Sequence, residues 1–109
     1  MSLLKKSRYP DSQYGGNEIL KIAEELEKMY PEEILSFYRS GLGNLNCSLD
    51  RKTYAQRALV MAKIRRVWVD VMKQDEKWKE FGREVKRMNL KRPPFQEEFA
   101  RALIDWNTL

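Results

Sequence analysis

From residue 17 onward, apolar residues recur at spacings of three and four, which is the period of amphipathic helices. The first segment begins after Asn17, a good N-cap residue, and ends at Pro31. Its apolar stripe consists of Ile19, Ile22, Ala23, Leu26, Met29 and Tyr30. Proline is tolerated at the first helical position, so Pro31 can also open a second helix that stops near Gly41. The buried residues expected of this second helix are Ile34, Leu35, Phe37 and Tyr38.

A loop over 41–49 is expected to place Leu42, Leu45 and Leu49 against the core. Asp50 then caps a long third helix that continues to about Lys73. The polar residues of this helix form one narrow strip that consists of Lys63, Arg66, Asp70 and Lys73. Because a helix that is apolar around most of its circumference packs between neighbours, the third helix is predicted to be the central element. Arg57 and Arg65 fall toward its apolar sector and are expected to snorkel or to pair with a carboxylate.

Two shorter helices follow. Asp75 can cap a fourth helix at 76–89, in which Gly82 allows a neighbouring backbone to approach closely. Its apolar stripe is Trp78, Phe81, Val85 and Met88. The KRPP sequence closes it, and a fifth helix starts near Pro94. The stripe of the fifth helix is Phe95, Phe99, Leu103 and Trp106.

The pattern contains no independent strand, because the most β-like run, VWVDV at 67–71, lies inside the third helical segment. We therefore predict an all-α fold of about five helices. The recurrence of proline-linked helix pairs around the third helix favours helical-hairpin repeats, and an irregular helical bundle is the alternative. Residues 1–16 are predicted to be an irregular lead-in because of Pro10, Gly15 and Gly16, and residues 17–109 to be a single domain.

Four segments carry a family resemblance. They are TYAQRALVMAKIRRVW at 53–68, WKEFGREVKRMNLKRPPF at 78–95, EEFARAL at 97–103 and MYPEEILSFYRSGL at 29–42. Together they resemble the C-terminal helical region of bacterial and archaeal SWIM zinc-finger proteins. The resemblance implies a helical interaction module, either part of a longer protein or free-standing. The zinc motif of that family reads C-x-C…C-x-H, and a chain with one Cys and no His offers no zinc ligand to match it.

The same two counts exclude several chemistries. Without His there is no histidine-based catalytic triad, and one Cys allows neither an intramolecular disulfide nor a Cys/His zinc site. Cys47 has no cationic neighbours in the sequence to lower its pKa, so we expect an inert thiol. A single Cys is typical of a protein in a reducing compartment, and we expect a cytoplasmic location. No apolar run approaches the length of a membrane span, so no membrane association is expected.

Adjacent carboxylates are the remaining candidates for catalysis. The pairs are Glu24–Glu25, Glu32–Glu33, Asp75–Glu76 and Glu97–Glu98. Neighbouring residues on a helix point about 100° apart, so these pairs do not converge on a substrate, and three of them suit helix starts. We therefore predict no enzymatic activity, no cofactor, no metal and no small-molecule substrate.

The charge is concentrated in the second half of the chain. The whole chain has 21 Lys and Arg against 16 Asp and Glu, a net charge of +5, and all of the excess lies in 55–109. A candidate phosphate-binding face consists of Lys79, Arg83, Lys86, Arg87, Lys91 and Arg92. Interleaved Glu80 and Glu84 offer the alternative of a solvated face with helical ion pairs.

The leading prediction of function is a non-catalytic helical interaction module that binds a protein partner or a second copy of itself. Trp106 is the candidate for an exposed partner contact, because it lies at the end of the last apolar stripe. Nucleic-acid binding through 79–92 is the alternative.

Overall fold

A computed structural model describes residues 17–43, 45 and 48–109, with side chains from residue 20 onward. Its helices are α1 (Asn17–Leu26), α2 (Pro31–Arg39), α3 (Arg51–Arg66), α4 (Asp75–Met88) and α5 (Pro93–Ala102). A π-helical segment, Val67–Val71, continues α3, and a short 3-10 helix, Trp106–Thr108, follows α5. The described ranges contain no strand, so the predicted all-α class is confirmed. The predicted lead-in at 1–16 and Cys47 lie outside the described residues.

The third helix is central, as predicted. α2 and α5 pack on α3, while α4 packs on the π-helical segment that continues it, which gives an irregular helical bundle. Tyr54 of α3 meets Phe95 of α5 edge to face, with 5.3 Å between ring centroids. The four residues predicted to be buried in α2 are buried, and so are Leu42 and Leu45 of the following loop. Leu49, predicted to lie against the core, is partly exposed instead.

The predicted cap of α3 is confirmed, since an oxygen of Asp50 accepts a hydrogen bond from the Thr53 backbone N–H at 2.7 Å. The hydrogen bonds to Thr53 lower the pKa of the Asp50 carboxyl. At the other end, the prediction of a regular helix to Lys73 is wrong. The chain widens into the π-helical segment, where the Met72 N–H donates to the Val67 carbonyl at 2.8 Å. The wider turn buries Val67 and Trp68 in succession, and Lys73 then adopts a positive φ of 56°.

Both arginines that were expected to reach a polar partner do so. Arg65 donates to Asp105 at 3.1 Å, and Arg57 donates to the Gly41 backbone carbonyl rather than to a carboxylate. The prediction that α3 is covered on its whole apolar circumference is wrong at Leu59, which lies exposed on the same side as the polar strip.

The first helix ends earlier than its apolar stripe predicts. α1 stops at Leu26, and the Met29 and Tyr30 N–H groups close a turn on the Leu26 carbonyl at 3.1 and 2.9 Å. Tyr30, which precedes Pro31, has the non-helical angles φ −135° and ψ 58°, in keeping with the steric restriction on a residue before proline. Met29 and Tyr30 therefore leave the buried stripe and are exposed.

The ends of α4 and α5 also differ from prediction. Asp75 is the first residue of α4, preceded by Gln74, and no side chain caps the helix. The helix starts one residue early, so the carboxylate lies in the first turn and favours the helix dipole instead. α5 ends at Ala102 because Leu103 is extended, which removes Trp106 from the helix. Gly82 is closely approached by the Leu109 side chain rather than by the neighbouring backbone that was predicted.

No helix within the described ranges is long and apolar enough to cross a membrane.

Candidate functional site

The six cations of the candidate phosphate-binding face do not form a free basic surface. Lys79 pairs with Glu76 at 3.8 Å, and Arg87 pairs with Glu84 at 2.5 Å. The Lys86 ammonium donates to the Trp106 backbone carbonyl at 2.9 Å, so it contributes to packing within the fold.

The remaining members of the face are distributed differently. Arg83 lines a shallow cavity of about 390 Å³ together with Arg87, and the other lining residues are Glu76, Glu80 and Glu84. Arg92 donates to the Met88 carbonyl and to Asn89 at 3.1 and 2.9 Å, while Lys91 is exposed. The structure therefore brings the α4 cations together with three carboxylates, which lowers the positive potential that a phosphate backbone would meet.

Trp106 is not the exposed contact that its position in the sequence predicts. Its side chain is 1% exposed, and its indole N–H donates to the Gln96 side-chain oxygen at 2.9 Å. Its ring lies 5.1 Å from that of Phe99 and within reach of the Lys86 ammonium at 5.9 Å. The prediction is wrong because Leu103 ends α5 and the 3-10 helix turns the indole back onto the body of the protein.

The exposed apolar side chains that follow the C-terminal end of α1 line a groove. The groove has a volume of about 440 Å³, and its lining residues are Met29, Tyr30, Pro31, Glu32, Glu33, Met72 and Gln74. Met29 is 69% exposed and lies beside Tyr30 and Met72 at this groove. We call this feature the α1–α2 groove.

A polar network fixes one wall of the groove. Glu27 is almost fully buried and accepts hydrogen bonds from Arg66 of α3 at 3.0 and 2.5 Å. The Tyr38 hydroxyl of α2 donates to the same carboxylate at 2.6 Å. Because Glu27 lies two residues before Met29, these bonds hold the turn that carries Met29 against both α2 and α3.

The network also shifts the protonation of its members. Burial raises the pKa of the Tyr38 hydroxyl well above its usual range, and the hydrogen bond to Glu27 adds to this effect. The hydrogen bond to Glu27 raises the pKa of the Arg66 guanidinium. Both shifts favour the protonated forms of Tyr38 and Arg66, which donate the hydrogen bonds to Glu27.

The opposite wall comes from the end of the π-helical segment. The Gln74 N–H donates to the Trp68 carbonyl at 2.7 Å, and the positive φ of Lys73 lies between the two lining residues Met72 and Gln74. The buried Gln74 side-chain oxygen has no hydrogen-bond partner among the described residues. The groove thus combines an apolar surface with a buried acceptor and the carboxylates of Glu32 and Glu33.

This arrangement suits the binding of an apolar side chain that is flanked by a cation. Of the other predicted carboxylate pairs, Glu97 and Glu98 both form ion pairs with Arg51, at 2.9 and 3.2 Å. Within the described residues, no group of three or more Asp, Glu, Cys or His side chains could hold a metal ion.

The apolar stripe alone did not reveal the groove. The useful sequence signal is the pair Tyr30–Pro31, since the restriction on residues before proline takes Tyr30 out of helical geometry and out of the apolar stripe. Comparison of the chain with protein-family models, with curated proteins and with solved structures finds no match.

Proposed function

We propose that this protein is a non-catalytic helical interaction module whose α1–α2 groove binds a protein partner. The observation that carries the proposal is the exposure of Met29 beside Tyr30 and Met72, at a groove whose walls are fixed to α2 and α3. Exposed apolar side chains in a preorganised groove lose little conformational entropy on binding, which favours association. The carboxylate of Glu32 on the rim gives the site a preference for cationic neighbours of an apolar anchor.

Site-specific photo-crosslinking tests this proposal. Met29→p-benzoylphenylalanine in the full chain is expected to give a discrete crosslinked protein product in cells. Ile104→p-benzoylphenylalanine is the matched control, because Ile104 is 92% exposed and does not line the groove. Addition of Glu32→Lys to the Met29 variant is expected to reduce the crosslink. Equal products at the two positions, or a product that does not depend on Glu32, would contradict the proposed site.

Nucleic-acid binding through 79–92 is the second candidate, supported by the exposure of Arg83, Arg87 and Lys91 at one end of α4. The neighbouring carboxylates argue for weak binding. The test is affinity for DNA or RNA at about 50 mM salt, which should fall as salt rises and fall further when Arg83 and Arg87 become Glu. Absence of binding at this salt concentration would exclude this candidate.

We further propose that residues 54–103 correspond to the zinc-free helical region of SWIM zinc-finger proteins and that the protein acts in the cytoplasm. The all-helical fold and the central α3 support the first point. A C-x-C…C-x-H motif upstream in the parent reading frame would establish the relationship, and its absence there would argue for a free-standing module.

A further inference from the structure

A second exposed feature of the molecule complements the α1–α2 groove in charge. The C-terminal end of α4 and the turn that follows it carry the apolar side chains Met88 and Leu90 and the cations Arg87 and Lys91. Leu90 is 63% exposed, and both cations are exposed as well. We call these four residues the basic knob.

The basic knob is held rigidly from beneath by Asn89, which is fully buried. The Asn89 amide N–H donates to the Val85 carbonyl at 2.9 Å, and its side-chain oxygen accepts from Arg92 at 2.9 Å. Its backbone carbonyl accepts from the Gln96 amide at 2.8 Å. With its polar groups satisfied by α4 and α5, Asn89 fixes the turn, so little conformational entropy is lost when Leu90 is buried by a partner.

We infer that the partner of the α1–α2 groove is a second copy of this chain, which inserts its basic knob. This inference rests on the proposed function and names its partner. Leu90 and Met88 would cover Met29 and Tyr30, while Lys91 would approach Glu32 at the rim. Arg87 already pairs with Glu84, so Lys91 supplies the principal new charge contact.

Charge complementarity is the main argument for this occupant. The chain has a net charge of +5, so unspecific contact between two copies is repulsive. The charged residues that line the groove, Glu32 and Glu33, are acidic, and the basic knob presents cations beside exposed apolar groups. The basic knob of one copy therefore carries the cations and apolar side chains that complement the acidic, apolar groove of another copy.

The use of two different surfaces in one contact limits the assemblies that the chain can form. Groove and knob are different surfaces, so each contact is head to tail, and it either closes into a ring or two-fold pair or extends into a chain of molecules. One knob in one groove buries a small area, so the association is weak, and its rim charges make it sensitive to salt.

Sedimentation equilibrium of the full chain at low salt tests the inference. The weight-average mass is expected to rise above that of the monomer with concentration and to return toward it when salt is added. Glu32→Lys and Lys91→Glu should each weaken association at least about tenfold. The matched controls are Glu25→Lys and Lys52→Glu, which make the same charge changes at exposed positions outside groove and knob and should leave association unchanged.

A mixing experiment provides the decisive arm. The Glu32→Lys variant retains an intact knob, and the Lys91→Glu variant retains an intact groove. Their equimolar mixture is therefore expected to associate, because the intact knob of one variant meets the intact groove of the other and the two substituted side chains also carry opposite charges. Each variant alone should associate at least about tenfold more weakly than the mixture. A mixture that remains monomeric, or controls that lose association equally, would overturn the inference.

The outcomes also separate this inference from the proposed function. A wild-type chain that stays monomeric while Met29 crosslinks to a different protein would overturn self-association and leave the interaction groove standing. If the wild-type chain stays monomeric and the Met29 variant gives no crosslinked product, both the self-association and the proposed interaction groove are overturned.

Discussion

The Glu27 network offers a quantitative test of how the groove is built. Removal of the carboxylate by Glu27→Ala takes the Glu27 acceptor away from the buried Tyr38 hydroxyl and from Arg66, which keeps the Glu24 carboxylate at 4.0 Å. A buried hydroxyl without a partner costs about 1–3 kcal/mol. The Arg66 side chain is 41% exposed, so water replaces part of its ion pair and its loss costs about 1 kcal/mol. The variant should therefore lose about 2–4 kcal/mol of unfolding free energy.

A double-mutant cycle separates the two contributions. Tyr38→Phe alone removes one charge-assisted hydrogen bond and should cost about 1.5 kcal/mol, because Glu27 keeps Arg66. In the double variant Glu27→Ala with Tyr38→Phe, no hydroxyl is left unsatisfied. The double variant should therefore be more stable than the sum of the single effects predicts, by about 1–2 kcal/mol.

Urea unfolding followed by circular dichroism at the helix band measures all three variants. Glu25→Ala is the matched control, since this exposed glutamate near the end of α1 should change stability by less than about 0.5 kcal/mol. Additive single effects, or a Glu27→Ala cost no larger than that of the control, would refute the account of the wall.

Three further predictions concern packing and pH. Trp106→Ala should destabilise the protein by about 3–5 kcal/mol in urea unfolding, whereas an exposed indole would give a change near zero. Because the folded-state pKa of Tyr38 lies above the usual 10.0, its contribution to stability is complete below about pH 10 and is lost above it. Unfolding free energies measured across this range should therefore fall more steeply for wild type than for Tyr38→Phe; equal slopes would contradict the shift. Gly82→Ala gains about 0.8–1 kcal/mol of helix propensity, but its Cβ would lie 2.7 Å from a Leu109 methyl carbon. The gain should be measurable by thermal unfolding in a Leu109→Ala background and largely absent in the full chain, and equal effects in both would contradict the contact.

Periodicity was sufficient to predict the fold class and the central role of α3. The apolar positions of α2 and the cap at Asp50 follow from local rules that tertiary contacts reinforce here. Sequence reasoning failed where two local rules compete. At Tyr30, the apolar period continues the helix while Pro31 forbids it, and the steric rule prevails.

Prediction of the candidate site required contacts between residues distant in sequence. The groove joins 29–33 to Met72 and Gln74, and periodicity gives no information on that pairing. The π-helical segment also escaped prediction, because the pattern of apolar residues does not distinguish a π-helical turn from an α-helical one. Trp106 was misplaced for a related reason: its spacing continues the α5 stripe, but the extended Leu103 redirects the chain.

Methyl NMR of the four methionines within the described residues tests the central claim most directly, because they lie in the groove, the knob and the core. Met29 and Met72 line the groove, Met88 lies in the basic knob, and Met61 is fully buried in the core. In a concentration series of the full chain, the account predicts that the methyl signals of Met29, Met72 and Met88 shift together while that of Met61 stays fixed. Signals of Met29 and Met72 that do not move with concentration would contradict it.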